Sequence, residues 1–209
     1  MRKHLTAVLL SSGVAALAIG AGTATAVATT ASTWTIKPGG AVTGSAGKTT
    51  LKDTKSGTVL TCASSATKAT LKKGKGQVNP IGKITSVTFG NCTGPAGLNF
   101  TATTSASAAH PWKLNGTSFS GGVTHGNITG ITASLSGSGC TATVAGAKAT
   151  SPGKVTGSYS NKTHVLSVSG GNLHMWNVSS GCLGLINSGD PSTFVGRYTI
   201  KPAQAITSP

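Results

Sequence analysis

The sequence predicts an all-β protein of sandwich or barrel-like form, with about ten short antiparallel strands and two disulfides. Short runs of β-branched residues recur along the chain, and Gly, Ser, Asn or Pro separate them. Several runs alternate with a period of two, which is typical of a half-buried strand. After the first 26 residues, no stretch keeps apolar residues at helical spacing over three turns. Without crossover helices, a parallel βαβ architecture is excluded.

The predicted strands follow one another at short intervals. Residues 83–89 show the alternation best, because Ile84, Ser86 and Thr88 face one side and the residues between them face the other. Turn signals of Asx and Gly type lie at 53–57 and 161–162, and both predict hairpins. The predicted strands are 34–37, 49–52, 58–62, 83–89, 98–103, 123–135, 141–144, 154–160, 165–169, 172–178 and 193–200.

The first 26 residues have the pattern of an export signal. Arg2 and Lys3 precede an apolar stretch that runs from residue 5 to about residue 21. Small residues then predict cleavage after Ala26 or Ala28. The apolar stretch is too short and too rich in Ala and Gly for a membrane anchor. We therefore expect a secreted, extracellular chain with no membrane span in its mature form.

The four cysteines predict two disulfides. An even number of cysteines in an exported chain is typical of a disulfide framework, and their wide spacing argues against a four-thiolate metal site. A weak sequence repeat, or echo, links the two halves of the chain. Cys92 and Cys182 are each followed by x-Gly and then by a strand containing Phe. Three connectivities are possible, and related halves favour the pairs Cys62–Cys92 and Cys140–Cys182.

The echo also predicts how the chain is organised. We expect one secreted β-domain over residues 33–200, with related halves at 33–108 and 109–200. The alternative is that the echo arises by chance in a Gly-rich β-protein. Residues 201–209 are expected to form a flexible tail.

The composition leaves few groups for catalysis. The chain has only two acidic residues, Asp53 and Asp190, and both lie in turn sequences. A glycosidase normally needs two carboxylates that flank the bond. A Ser-His-Asp triad would need Asp190, but no Gly-x-Ser-x-Gly nucleophile motif supports one. Neither a metal site nor a cofactor is expected, because the histidines lack ligand spacing.

Positive charge is the most distinctive feature of the composition. The chain carries a net charge of +15, and Arg2 and Lys3 account for two of these charges, so a chain without its leader would carry +13. The densest cluster of lysines indicates contact with a polyanion, such as an anionic cell-wall polymer or polysaccharide. The alternative is a solvated loop. Because no aromatic residue interleaves with the cluster, specific nucleic-acid binding is not expected. The cluster consists of Lys68, Lys72, Lys73, Lys75 and Lys83.

A segment near the C-terminus resembles one family of proteins. It reads Cys-Leu-Gly-Leu-Ile-Asn-x-Gly-Asp over residues 182–190, and Phe-x-Gly-x-Tyr follows at 194–198. This pattern resembles small secreted β-rich proteins of actinobacteria that have no assigned function. The resemblance implies a secreted β-domain and transfers no catalytic residue.

These observations favour a non-enzymatic protein that binds a ligand outside the cell or associates with the cell envelope. The alternative is a secreted hydrolase with an unrecognised Ser-His site.

Overall fold

The computed structural model describes residues 32–137 and 139–209, and this part of the chain is all-β. It contains sixteen strands, two single-turn 3-10 helices at Pro95–Gly97 and Ser180–Cys182, and no α-helix. The strands are β1 (Trp34–Lys37), β2 (Gly40–Ala46), β3 (Thr49–Asp53), β4 (Val59–Leu71), β5 (Gly74–Gln77), β6 (Gly82–Thr93), β7 (Asn99–Thr104), β8 (Trp112–Ser120), β9 (Val123–Ile131), β10 (Ala133–Gly137), β11 (Cys140–Ala145), β12 (Gly153–Ser160), β13 (Val165–Ser169), β14 (Leu173–Trp176), β15 (Pro191–Lys201) and β16 (Ala205–Thr207).

Thirteen strands form one antiparallel sheet that closes on itself twice. The first ring runs β2-β4-β6-β8-β9-β12-β13-β15 and returns to β2. The second ring runs β3-β4-β6-β7-β10-β11-β14-β15 and returns to β3. Both rings share β4, β6 and β15, which are long enough to pair with different neighbours at their two ends. Closure leaves neither ring with an unpaired strand edge.

The other three strands form a small sheet in the order β16-β1-β5. It contacts the first ring through Trp34 of β1, which is fully buried, and Gly116 of β8 lies against the Trp34 indole. The hydroxyl of Thr124 in β9 also donates a hydrogen bond to the Ile206 carbonyl in β16, at 3.0 Å. Trp34 therefore anchors the small sheet to the ring.

Period-two alternation produces the core. In β2, for example, Val42 and Ala46 are buried, and the residues between them alternate between exposed and buried positions. Most buried side chains are small or β-branched, and the largest are Trp34, Trp112, Tyr159 and Tyr198. Because small side chains remove little apolar surface from water, this core contributes less stabilisation than a Leu- and Phe-rich core of the same length.

The structure confirms the predicted fold class and both disulfides. Cys62 and Cys92 lie directly opposite each other on β4 and β6, with their Cα atoms 3.8 Å apart. Cys140 and Cys182 have Cα atoms 4.4 Å apart and join the start of β11 to the second 3-10 helix. No free cysteine remains among the described residues.

The organisation of the domain differs from the expectation in one respect. Residues 201–209 do not form a tail, because β16 pairs with β1 and Gln204 and Ile206 are buried. The predicted halves, 33–108 and 109–200, contribute strands to the same sheet, because β15 pairs with β2 and β3. The described residues form one compact unit. The predicted export signal lies outside the described residues.

Candidate functional site

Both carboxylate side chains of the protein have structural roles. Asp53 is buried at the end of β3, where one carboxylate oxygen accepts hydrogen bonds from the backbone N–H groups of Lys55 and Ser56. Asp190 is buried before β15 and accepts hydrogen bonds from the backbone and the side chain of Asn187. Each carboxylate thus holds a turn, as an Asx residue does.

The environment of Asp190 makes its ionised form favourable. Burial of the carboxyl group on its own would raise its pKa. The two hydrogen bonds from Asn187 and the ammonium group of Lys55, 3.2 Å away, outweigh this effect and lower the pKa below its ordinary value. The ionised carboxylate therefore stabilises the folded state.

This lowered pKa makes stability depend on pH. A group with a depressed folded-state pKa contributes stability above its unfolded-state pKa, and that stability is lost as the pH falls through the folded value. We expect the free energy of unfolding of Asp190→Asn to lie below that of the unsubstituted protein at neutral pH. The difference should shrink once the pH drops below the ordinary value of 3.8. Urea unfolding over a pH series measures it, and a difference that is constant with pH would contradict this account.

Among the described residues, no hydrogen bond joins a histidine ring to a serine hydroxyl. The His164 ring lies 3.3 Å from the Tyr159 hydroxyl, and the His174 ring lies 3.1 Å from the Asn172 carbonyl oxygen. Neither contact activates a nucleophile, and both carboxylates are engaged in turns. Over 32–137 and 139–209, no three His, Cys, Asp or Glu side chains converge as metal ligands.

The structure divides the five predicted lysines between two places. Lys68 and Lys83 lie on the outer faces of β4 and β6, close to the end of the hairpin that these strands form. The other three belong to the connection between the strands, which includes β5. The Lys72 ammonium donates a hydrogen bond to the Val78 carbonyl at 2.8 Å, whereas Lys73 and Lys75 are exposed. We call Lys72, Lys73 and Lys75 the lysine loop.

The outer face of the first ring carries further lysines beside Lys83. Lys83 lies directly opposite Lys113 of β8, and Lys113 lies opposite Thr129 of β9. Thr129 in turn lies opposite Lys154 of β12. Lys83, Lys113 and Lys154 therefore form one row across four neighbouring strands, which we call the lysine row.

The side chains of the lysine row point outward because their neighbours point inward. Ile84 and Val155, next to Lys83 and Lys154, are buried in the core, and Leu114 packs against it. All three lysines are exposed. Since neighbouring strands lie about 4.8 Å apart, the row spans roughly 14 Å. It therefore places three ammonium groups along a line that crosses the strands.

Polar groups without charge flank the lysine row. Asn115 follows Lys113 on the same face of β8, and its side-chain amide donates hydrogen bonds to the side-chain oxygen of Asn127 and to the Thr129 hydroxyl. Thr70 of β4 lies opposite Lys83. A ligand along the row would thus meet cations and hydroxyl or amide groups, and no carboxylate.

Sequence reasoning missed Lys113 and Lys154. Each is an isolated lysine in its own segment, and only the ring closure places them in register with Lys83. The alternation of Trp112 and Leu114 with Lys113 would have placed Lys113 on an outer face. No local signal specified which strand lies beside it.

No protein-family model matches the chain, and no curated protein and no solved structure matches it either. In the described part of the chain, no helix is long and apolar enough to cross a membrane.

Proposed function

We propose that the protein is a secreted, non-enzymatic binding protein of the cell envelope or its surroundings, and that the lysine row and the lysine loop bind an anionic polymer. The observation that carries this proposal is the row itself: three exposed lysines in register on the outer face of the first ring.

The lysine row does not stabilise the folded protein, so folding does not explain its presence. Like charges directly opposite each other on neighbouring strands destabilise a sheet. Lys83 and Lys113 are such a pair. The only two carboxylate side chains of the chain, Asp53 and Asp190, are buried and do not neutralise these lysines. The cost falls when a polyanion lies across the row, because each bound anionic group replaces repulsion by attraction.

The chemistry of the surface indicates the class of ligand. Lysine attracts anions as a point charge and lacks the planar fork with which arginine selects paired oxygens. The row lies on a sheet face, and no aromatic side chain stands between its members. The proposed ligand is therefore a polymer with regularly repeated phosphate or carboxylate groups, recognised by charge density and not by base stacking.

Neutralising the row tests the proposal. The variant Lys83→Gln/Lys113→Gln/Lys154→Gln should bind long-chain polyphosphate about a hundredfold more weakly at low salt, since one lysine beside an anionic surface contributes about 1 kcal/mol. Fluorescence anisotropy with labelled polyphosphate measures the dissociation constant. A parallel titration with polygalacturonate distinguishes phosphate from carboxylate polymers, and neutral dextran should not bind.

A variant with the same net charge provides the control. Lys48→Gln/Lys52→Gln/Lys162→Gln removes three exposed lysines that lie outside the row and should weaken binding far less. The row variant should also unfold at no lower temperature, because it loses the Lys83–Lys113 repulsion. Equal losses of affinity in both variants would show that net charge alone attracts the polymer, and the proposed site would be wrong.

A further inference from the structure

One end of the second ring opens into an apolar cavity of about 100 Å³. Its wall includes Leu51 and Leu60 of β3 and β4 and the Cys140–Cys182 disulfide, and its rim includes Leu98 and Leu183. Leu98 is 43% exposed and Leu183 is 83% exposed. Exposed leucines around an apolar opening are typical of a binding site and not of a surface that only faces water.

Leu183 is held outward by a backbone conformation that disfavours leucine. It has a φ of +52°, in the left-handed region, and its N–H donates to the Ser180 carbonyl at the end of a 3-10 helix. A non-glycine residue in this region costs on the order of 1 kcal/mol. The neighbouring disulfide at Cys182 fixes the turn. Folding alone therefore does not account for a leucine at this position.

Two further apolar cavities lie next to the cavity at the mouth. A second apolar cavity, also of about 100 Å³, shares Leu51, Leu60 and Leu135 with the first. A third, of about 90 Å³, shares Ile84 and Val168 with the second. Protein interiors contain few voids larger than a water molecule, and apolar cavities of this size stay dry and take up apolar ligands. The three cavities thus follow one another along the interior of the sheet.

A positive charge lies in the turn that leads to the cavity. Thr58 lines the cavity and donates its hydroxyl to the Leu185 carbonyl, at 2.7 Å. The turn before Thr58 carries Lys55, whose side chain is 71% exposed and whose only acidic partner is the buried Asp190. An anionic group at the mouth would therefore meet a cation and no exposed carboxylate.

We infer that the open end of the second ring binds a single-chain anionic amphiphile of the fatty-acid class. Its aliphatic chain enters the three successive cavities, and its carboxylate lies beside Lys55. The apolar lining of the three neighbouring cavities suits an aliphatic chain, and the Lys55 ammonium supplies charge complementarity for the head group. This site is separate from the lysine row, so the inference does not rest on the proposed function.

A chain-length series tests this inference. Isothermal titration calorimetry with hexanoate, decanoate and hexadecanoate, each below its critical micelle concentration, should show affinity rising by up to about fourfold per methylene. Dodecanoate should bind more tightly than dodecanol, and Lys55→Met should abolish that preference. Affinity that does not depend on chain length would contradict binding of the aliphatic chain in the cavities. A wild-type protein that binds dodecanol as tightly as dodecanoate would contradict binding of the carboxylate beside Lys55.

Variants locate the chain within the cavities. Ala102 lines the second cavity, so Ala102→Leu should reduce the affinity for hexadecanoate towards that for decanoate and leave hexanoate unchanged. Val144→Ile fills less of the same cavity, and it replaces Ala102→Leu in this test if Ala102→Leu does not fold. Equal losses for all chain lengths in a folded variant would mean that the chain does not reach this cavity.

The rim has a matched control. Leu98→Thr and Val195→Thr each replace an apolar side chain that is 43% exposed, but only Leu98 lies at the mouth. Leu98→Thr should weaken the binding of decanoate severalfold, and Val195→Thr should not. If sedimentation shows that the protein forms dimers, that Leu98→Thr abolishes them and that no fatty acid binds, the rim is a self-association surface and the inference is overturned.

Discussion

Removal of either disulfide is expected to be the most damaging change to this fold. The bonds close loops with sequence separations of 30 and 42 residues. In the chain-entropy model, loops of this length contribute roughly 3.5–4 kcal/mol each. Typical domains have a net stability of about 5–15 kcal/mol, and this core is rich in small side chains. Cys62→Ser/Cys92→Ser and Cys140→Ser/Cys182→Ser should each lose most of their stability, as urea unfolding measures.

The two bonds should differ in their local effect. Cys62–Cys92 joins β4 and β6, which both rings share, so its loss should weaken the whole domain. Cys140–Cys182 holds the turn that presents Leu183, so its loss should also expose that turn to proteolysis. A reduced protein as stable as the oxidised one would contradict this account of the core.

A methyl group at Gly116 should produce the second large effect. A Cβ atom at this position would collide with the indole ring of Trp34, which is fully buried and cannot move aside. Gly116→Ala should therefore lower the free energy of unfolding by about 1–3 kcal/mol. Gly47→Ala is the control, because a Cβ atom there meets no other atom within 4 Å.

A double-mutant cycle identifies the collision as the cause. Trp34→Ala should cost about 3–5 kcal/mol because it leaves a cavity between β1 and β8. Adding Gly116→Ala to that variant should cost almost nothing further, since the indole is gone. Additive losses would show that Gly116 is required for a reason other than contact with Trp34.

The sequence predicted the fold class because strand alternation and turn residues are local signals. β1 and β13 have the predicted bounds. Four strands were not predicted, namely β2, β5, β8 and β16. They contain many Gly, Ala and Ser residues or lie near the ends of the domain. Two predicted strands proved to be parts of much longer ones, β4 and β6. Ring closure depends on those long strands, and no local pattern measures how far a strand continues.

The candidate site could be predicted only in part. Lys83 was predicted as a polyanion contact, together with Lys68 and the lysine loop, because these five lysines lie in one dense segment. Lys113 and Lys154 join Lys83 through strand pairing between distant segments. The opening at the second ring likewise depends on three separate connections, β3–β4, β6–β7 and β14–β15, that meet at one end. Tertiary register, and not residue type, determines both sites.

The salt dependence of polyphosphate binding tests the central proposal most directly. Each lysine that contacts an anionic group releases counterions on binding, so the logarithm of the affinity falls linearly with the logarithm of the salt concentration. For the unsubstituted protein we expect a steep slope, and for Lys83→Gln/Lys113→Gln/Lys154→Gln a slope shallower by about two to three units. The same slope for both proteins would show that the lysine row does not contact the polymer, and would contradict the proposed function.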